Sequence, residues 1–247
     1  MSLSQMTGTK IVAYGQKGKD AAISVSASAH MHLYNVRAWN RSGGAINVGI
    51  CRKLKSGTGQ YKIFTKVGST YTDVTSALDA GTATGIATLT NNDGIVVQAK
   101  RQFGLFGITV SNSAANGTYA FQYYNGTTWA TLACEEKPTN LASTGDKYVV
   151  FIPPYDWAVG DGSATAIDQS MYSIRILHTT APDDTGAANA VWFGEILEYF
   201  EGVADNSGVQ AMFSDERPFV LDAGEGIFPY FSSANDSNYF AAFYGSG

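Results

Sequence analysis

Along residues 31–40, MHLYNVRAWN, the side chains follow a two-residue rhythm. On a strand this puts Leu33, Asn35, Arg37 and Trp39 on one face and His32, Tyr34, Val36 and Ala38 on the other. Similar short runs, rich in Val, Ile, Thr, Tyr and Phe, occur at 10–15, 21–28, 45–54, 61–67, 94–99, 103–111, 118–124 and 128–134. They continue at 147–152, 171–179, 191–200, 208–213, 217–221, 226–231 and 238–244. Turn-forming clusters separate them: Ser42-Gly43-Gly44, Ser56-Gly57-Thr58-Gly59, Asn91-Asn92-Asp93-Gly94, Asn125-Gly126, Asp161-Gly162 and Ala223-Gly224. Residues 74–79 are the one stretch that suits a helical turn. Many short strands at this spacing predict an all-β chain of β-sandwich, jelly-roll-like architecture.

The runs also suggest how the chain is divided. Residues 1–66 and 196–247 share apolar strands broken by Gly, Ser and Asn, and neither stretch holds enough strands to close a sandwich. Residues 67–195 hold a fuller set. The expectation is two β-sandwich domains: an outer one formed by both chain ends, and a second, 67–195, inserted into it. Two sequential sandwiches meeting near residue 100 are the alternative.

Composition narrows the function classes. Of 247 residues, 45% are hydrophobic and only 15% charged, which provides a core and argues against disorder. The net charge is −5 and the richest basic stretch is the short Arg52-Lys53-Leu54-Lys55, so no basic stripe is expected to meet nucleic acid. No segment approaches the ~20 apolar residues of a membrane-spanning helix, and the first residues lack a signal-peptide pattern. Cys51 and Cys134 read as free thiols on strands.

Candidate chemistry is sparse. His30 and His32 would point to one face of a strand but lack a visible third metal ligand, and His178 stands far away in sequence. The carboxylates Glu135-Glu136, Asp183-Asp184, Asp215-Glu216 and Glu195/Glu198/Glu201 carry no glycosidase signature. Neither a nucleophile elbow nor a phosphate-binding glycine loop is present. The chain is expected to be non-enzymatic, with no cofactor and no metal.

What remains is the aromatic stretch Tyr123-Tyr124-Asn125-Gly126-Thr127-Thr128-Trp129. Exposed Tyr and Trp rings can stack on sugars, so Tyr124, Trp129 and Trp157 are the candidate glycan contacts. A two-residue turn at Asn125-Gly126 would pair Tyr124 with Thr127 and set Trp129 opposite Gln122, on a mixed face. A three-residue bulged loop would instead pair Tyr123 with Thr127 and set Trp129 opposite Phe121, beside Tyr119 and Tyr123. The second gathers the large aromatics on one side, so it is the preferred register and makes Trp129 a core residue. Trp157, which follows the Pro153-Pro154 pair ending strand 147–152, is expected to close the bottom of the sandwich.

Several stretches in order resemble β-sandwich domains of tailed-bacteriophage virion proteins. They are YTDVTSALDAGTAT (71–84), DGIVVQAKRQFGLFGITVSN (93–112), YAFQYYNGTTWATL (119–132), KYVVFIPPYDW (147–157) and MYSIRILHTT (171–180). The family pattern of an aromatic-Asn-Gly-x-x-Trp hairpin, a strand ending in Pro and Trp, and a strand with an Ile-Arg pair is matched by three segments. These are Tyr124–Trp129, Pro154-Tyr155-Asp156-Trp157 and Tyr172-Ser173-Ile174-Arg175. The resemblance covers roughly 71–180. It implies a structural role in the virion: a capsid-decorating (cement) protein, head fibre, or tail or baseplate component, assembled in the host cytoplasm. The implied partners are the major capsid protein or other virion proteins and further copies of the chain, a trimer suiting the three-fold positions of a capsid. It carries over no catalytic residue. A glycan-binding module or receptor-binding tail component is the alternative.

Overall fold

The computed structural model describes residues 8–14, 23–26, 30–54, 59–86, 90–113, 116–138, 143–161, 167–183, 185–212, 219–233 and 238–246. The turn expected at 56–58, Gly162 and the carboxylates Asp184, Asp215 and Glu216 lie outside these residues. So do parts of the strands expected at 21–28, 208–213 and 217–221. The chain is all-β and antiparallel, and among the described residues there is one short helix, α1 (Thr75–Asp79), where 74–79 suited a helical turn. It splits into two compact units, Met1–Lys55 with Gly194–Gly247, and Ser56–Phe193. Strand 61–67, read above mostly with the chain ends, pairs inside the second of these units.

The first unit contains β1 (Gly8–Tyr14), β2 (Ile23–Ser24), β3 (Met31–Trp39) and β4 (Ile46–Lys53). On β3, Leu33 is as fully buried as Val36 and Ala38, which the simple alternation had placed on the opposite face. A bulge is the reason: the C-terminal strand pairs Phe243 with Asn35 and Tyr244 with Leu33, leaving Tyr34 without an opposite residue. One extra residue resets the two-residue rhythm, so Leu33, Val36 and Ala38 all turn inward.

In the second unit, six strands form one antiparallel sheet. They are β5 (Tyr61–Val67), β6 (Thr70–Asp73), β8 (Gly94–Ala99), β10 (Thr118–Tyr124), β11 (Trp129–Thr131) and β13 (Tyr172–Thr180), ordered β11-β10-β13-β8-β5-β6. Between them in the chain fall β7 (Thr84–Gly85), β9 (Leu105–Asn112) and β12 (Gly145–Val150), and β9 pairs with β12. The inward face of the six-stranded sheet carries Phe121, Ile176 and Ile95, in adjacent register on β10, β13 and β8. Together with Phe106 and Ile108 of β9 and Val149 of β12 they wall one apolar cavity, so the two layers meet as a sandwich.

The long β14 (Ala187–Val203) supplies Trp192 and Phe193, which point to opposite sides as strand neighbours must. Phe193 packs into an aromatic cluster with Phe103, Phe106 and Tyr61, at ring separations of 5.0, 5.5 and 4.9 Å. Trp192 lies across Gly107, where any Cβ would fall 2.0 Å from its Cε2. Only glycine lets the indole come that close.

In the first unit, β14 from Gly194 onward pairs with β4, and β17 (Gly226–Phe231) flanks β4 on its other side. Within β17, Pro229 stands opposite Ile50 of β4. The remaining strands, β15 (Gly208–Met212), β16 (Phe219–Leu221) and β18 (Tyr239–Ser246), all pair with β3.

Candidate functional site

The β10–β11 hairpin departs from both expected registers. Tyr124 stands opposite Trp129, Tyr123 opposite Ala130 and Gln122 opposite Thr131, so the loop has four residues, 125–128. Asn125 explains the length. Its Oδ1 accepts the N–H groups of Thr127 and Thr128 at 3.0 and 2.8 Å, its own N–H donates to the Thr128 carbonyl at 3.1 Å, and Gly126 takes φ +91°. The side chain thus satisfies two backbone donors that a tighter turn would have placed in the ladder. Trp129 therefore does not lie opposite Phe121 in the core between the layers. It shares the other face of the sheet with Tyr124 and Gln122.

That face has its own small cluster. Trp129 and Tyr71 pack, half-buried, against Phe64, Val96 and Ile167. The Arg175 guanidinium sits over the Trp129 ring, 4.4 Å from its centroid, while Arg175 Nε donates to Gln122 Oε1 at 2.7 Å. Burial pushes the Arg175 guanidinium below its usual range, opposed by Tyr71 and Asp161 nearby. Burial likewise raises the Tyr71 phenol, and Asp161 adds to that rise. A stacked guanidinium on a half-buried indole is worth about 1–2 kcal/mol. It also occupies a ring face that a sugar would need.

Trp157 closes the arrangement. It is 4% exposed, packs edge-on against Phe103, Phe151 and Tyr172, and donates its indole N–H to the Ser173 carbonyl at 3.0 Å. The next residue, Ala158, donates its N–H to the Tyr124 carbonyl at 2.9 Å. Tyr124 itself is 8% exposed, with its hydroxyl donating to the Gly126 carbonyl. The three candidate glycan residues are thus brought together, but each is committed to the fold. Tyr124 and Trp157 are too buried to offer a ring to a sugar.

The residues that do face solvent are their neighbours. Pro154-Tyr155-Asp156-Trp157 form a turn closed by the Trp157 N–H on the Pro154 carbonyl at 3.2 Å, and Tyr155 at its tip is 100% exposed. The Tyr123 hydroxyl donates to Asp156 Oδ1 at 2.9 Å, and that bond, with the nearby Tyr155, raises the Tyr123 phenol above its usual range. Tyr155 and Asp156 were noted from sequence only within the Pro-to-Trp motif. The available signal was the turn-forming Pro-Tyr-Asp between a double proline and an anchoring tryptophan.

The other sequence candidates lie apart. His30 is exposed, 3.2 Å from Asp222, while His32 is half-buried on β3. His178 is fully buried, with the Tyr119 ring tilted against it 4.8 Å away, and burial lowers its pKa. Glu135, Asp183, Glu198 and Glu201 are exposed, and Glu195 is paired with Arg52. Among the described residues no three His, Cys, Asp or Glu side chains are grouped to hold a metal. The apolar cavity between the layers, about 30 Å³, is far below the size of a ligand pocket.

Compared with known proteins, the chain matches no family model, no curated protein and no solved structure.

Proposed function

We propose that this chain is a non-enzymatic structural protein of a tailed-bacteriophage virion, decorating the capsid as a cement protein or attached to it as a fibre. The observation that carries the reading is the meeting of the three motifs on which the resemblance rests. Trp129 of the hairpin stacks on Arg175 of the Ile-Arg strand, Trp157 bonds the carbonyl of Ser173 two residues earlier, and Ala158 bonds Tyr124. Residues that pack on one another behave as a fold signature, so their order in the sequence speaks for shared architecture rather than shared chemistry. The low charge and turn-rich strands suit a subunit that repeats over a shell, where many weak contacts add through high effective concentration.

On this reading the chain ends form the layer into which 56–193 is inserted, and several copies, a trimer at a capsid three-fold, engage the major capsid protein. Co-sedimentation of the purified chain with empty, expanded capsids tests it, together with mass spectrometry of purified virions. The expected result is binding that saturates at a fixed ratio to the major capsid protein. Absence from virions would sink the reading.

A further inference from the structure

Tyr155 raises a separate question, because a fully exposed aromatic here stands on a turn whose neighbours are bonded to the fold. The turn that carries it is fixed on both sides. On one side the buried Trp157 pins it to Ser173, and Ala158 is bonded to Tyr124. On the other, Asp156 holds the Tyr123 hydroxyl at 2.9 Å. The backbone that carries the ring is therefore held, which lowers the entropy cost of presenting it. Among the described residues the Tyr155 ring is fully exposed.

The chemistry around the ring is specific. The Asp156 carboxylate is fixed by one hydrogen bond and has further lone pairs to accept hydroxyl protons. Tyr123, bonded to Asp156, and Tyr155, the chain neighbour of Asp156, add two phenolic hydroxyls. The charged group of this cluster is the Asp156 carboxylate, so an anionic ligand is disfavoured here. An aromatic plate beside an oriented acceptor and neutral hydroxyls suits a ring with an apolar C–H face and equatorial hydroxyls.

We infer that the Pro154–Trp157 turn is a binding site for a neutral sugar, which stacks on Tyr155 and is held by Asp156 with Tyr123. The inference does not depend on the virion reading: it places recognition on exposed neighbours of the candidates rather than on Tyr124, Trp129 or Trp157. Sites of this kind, with one plate, bind weakly and act through many copies.

The test uses the whole chain and a panel of neutral gluco-, galacto-, manno- and N-acetylglucosamine oligosaccharides, read by saturation-transfer NMR and calorimetry. Wild type is expected to bind at least one member. Tyr155→Ala should weaken that binding by about tenfold or more, since it removes the stacking plate. Tyr155→Trp should keep it, and Asp156→Asn should weaken it. Because Tyr155 is fully exposed, its variants keep the wild-type melting temperature, which separates lost binding from lost folding. Binding by no member of the panel, or equal binding by wild type and Tyr155→Ala, would overturn the inference. So would a Tyr155→Ala variant that loses self-association or capsid binding while no sugar binds, which would assign the turn to protein docking.

Discussion

The contact between Gly107 and Trp192 allows a sharp test of the packing. In Gly107→Ala, the new methyl group would stand 2.0 Å from Trp192 Cε2, against the 3.5–4.0 Å of ordinary carbon contact, so the ring must retreat by about 1.5 Å. It has little room to do so: Trp192 is 5% exposed and Tyr148, the cross-strand partner of Gly107, meets it edge-on at 5.7 Å. Overpacking of this kind costs roughly 2–3 kcal/mol, a fall in Tm of roughly 5–10 °C for a chain of this length. Without the indole, the same change should stabilise a strand by about 0.5–1 kcal/mol, because alanine restricts the unfolded chain. Urea melts of Gly107→Ala, Trp192→Leu and the double variant separate the terms. The Gly107→Ala penalty should vanish or reverse sign in the Trp192→Leu background. The argument fails if Gly107→Ala melts with wild type, or if its penalty is the same with and without the indole.

Three further outcomes follow from side chains in defined environments. In the first unit, Arg52 (12% exposed) faces Glu225 (6%) at 3.8 Å, is paired with Glu195, and lies 5.2 Å over Phe219. Arg52→Leu should cost about 3 kcal/mol by chemical denaturation, and adding Glu225→Leu should recover part of the loss. His178 has a folded pKa depressed by burial, so the unfolded chain binds its proton more readily. Stability should hold above about pH 6.5 and fall below it, by at most about 1.4 kcal/mol per pH unit, with that slope absent in His178→Phe. Asp168 acts in a lower window: Ser170, with help from Lys62, lowers its pKa to about 2, so its contribution is lost only as pH falls from about 4 toward that value. Burial raises both thiols, Cys134 to about 11 and the fully buried Cys51 further. At pH 8 an aromatic disulfide reagent should label the native protein slowly and both thiols at once in urea.

The strands were legible where turn residues bound a compact run of strand-forming side chains. β5, β8 and β10 follow the expected runs, and β13 nearly so, because such runs bounded by turn residues admit few other structures. What could not be read was anything set by a residue that breaks the rhythm. Tyr34 looks like an ordinary strand residue, yet as a bulge it reverses the parity of half of β3. The hairpin register turned on the Asn125 side chain capturing two backbone N–H groups, a choice that burial arguments about Trp129 cannot detect. The polar β6 escaped notice because its partner β5 and the Gly68 turn define it more than its own residues do. At the site, the aromatic residues were recognised but their roles were exchanged. Arg175, 46 positions from Trp129 in sequence, determines that the indole is occupied, and only the β10–β13 register brings them together.

The turn from Pro154 to Trp157 separates holding from showing. Its rigidity comes from Trp157, Ala158 and Asp156, whereas the residue it displays, Tyr155, supports nothing in the fold. Position 155 can therefore change freely under selection, with a new side chain inheriting the same fixed stage at almost no cost in stability. In evolutionary terms this is an exchangeable display position: what the protein recognises can drift there while the architecture that presents it stays constant.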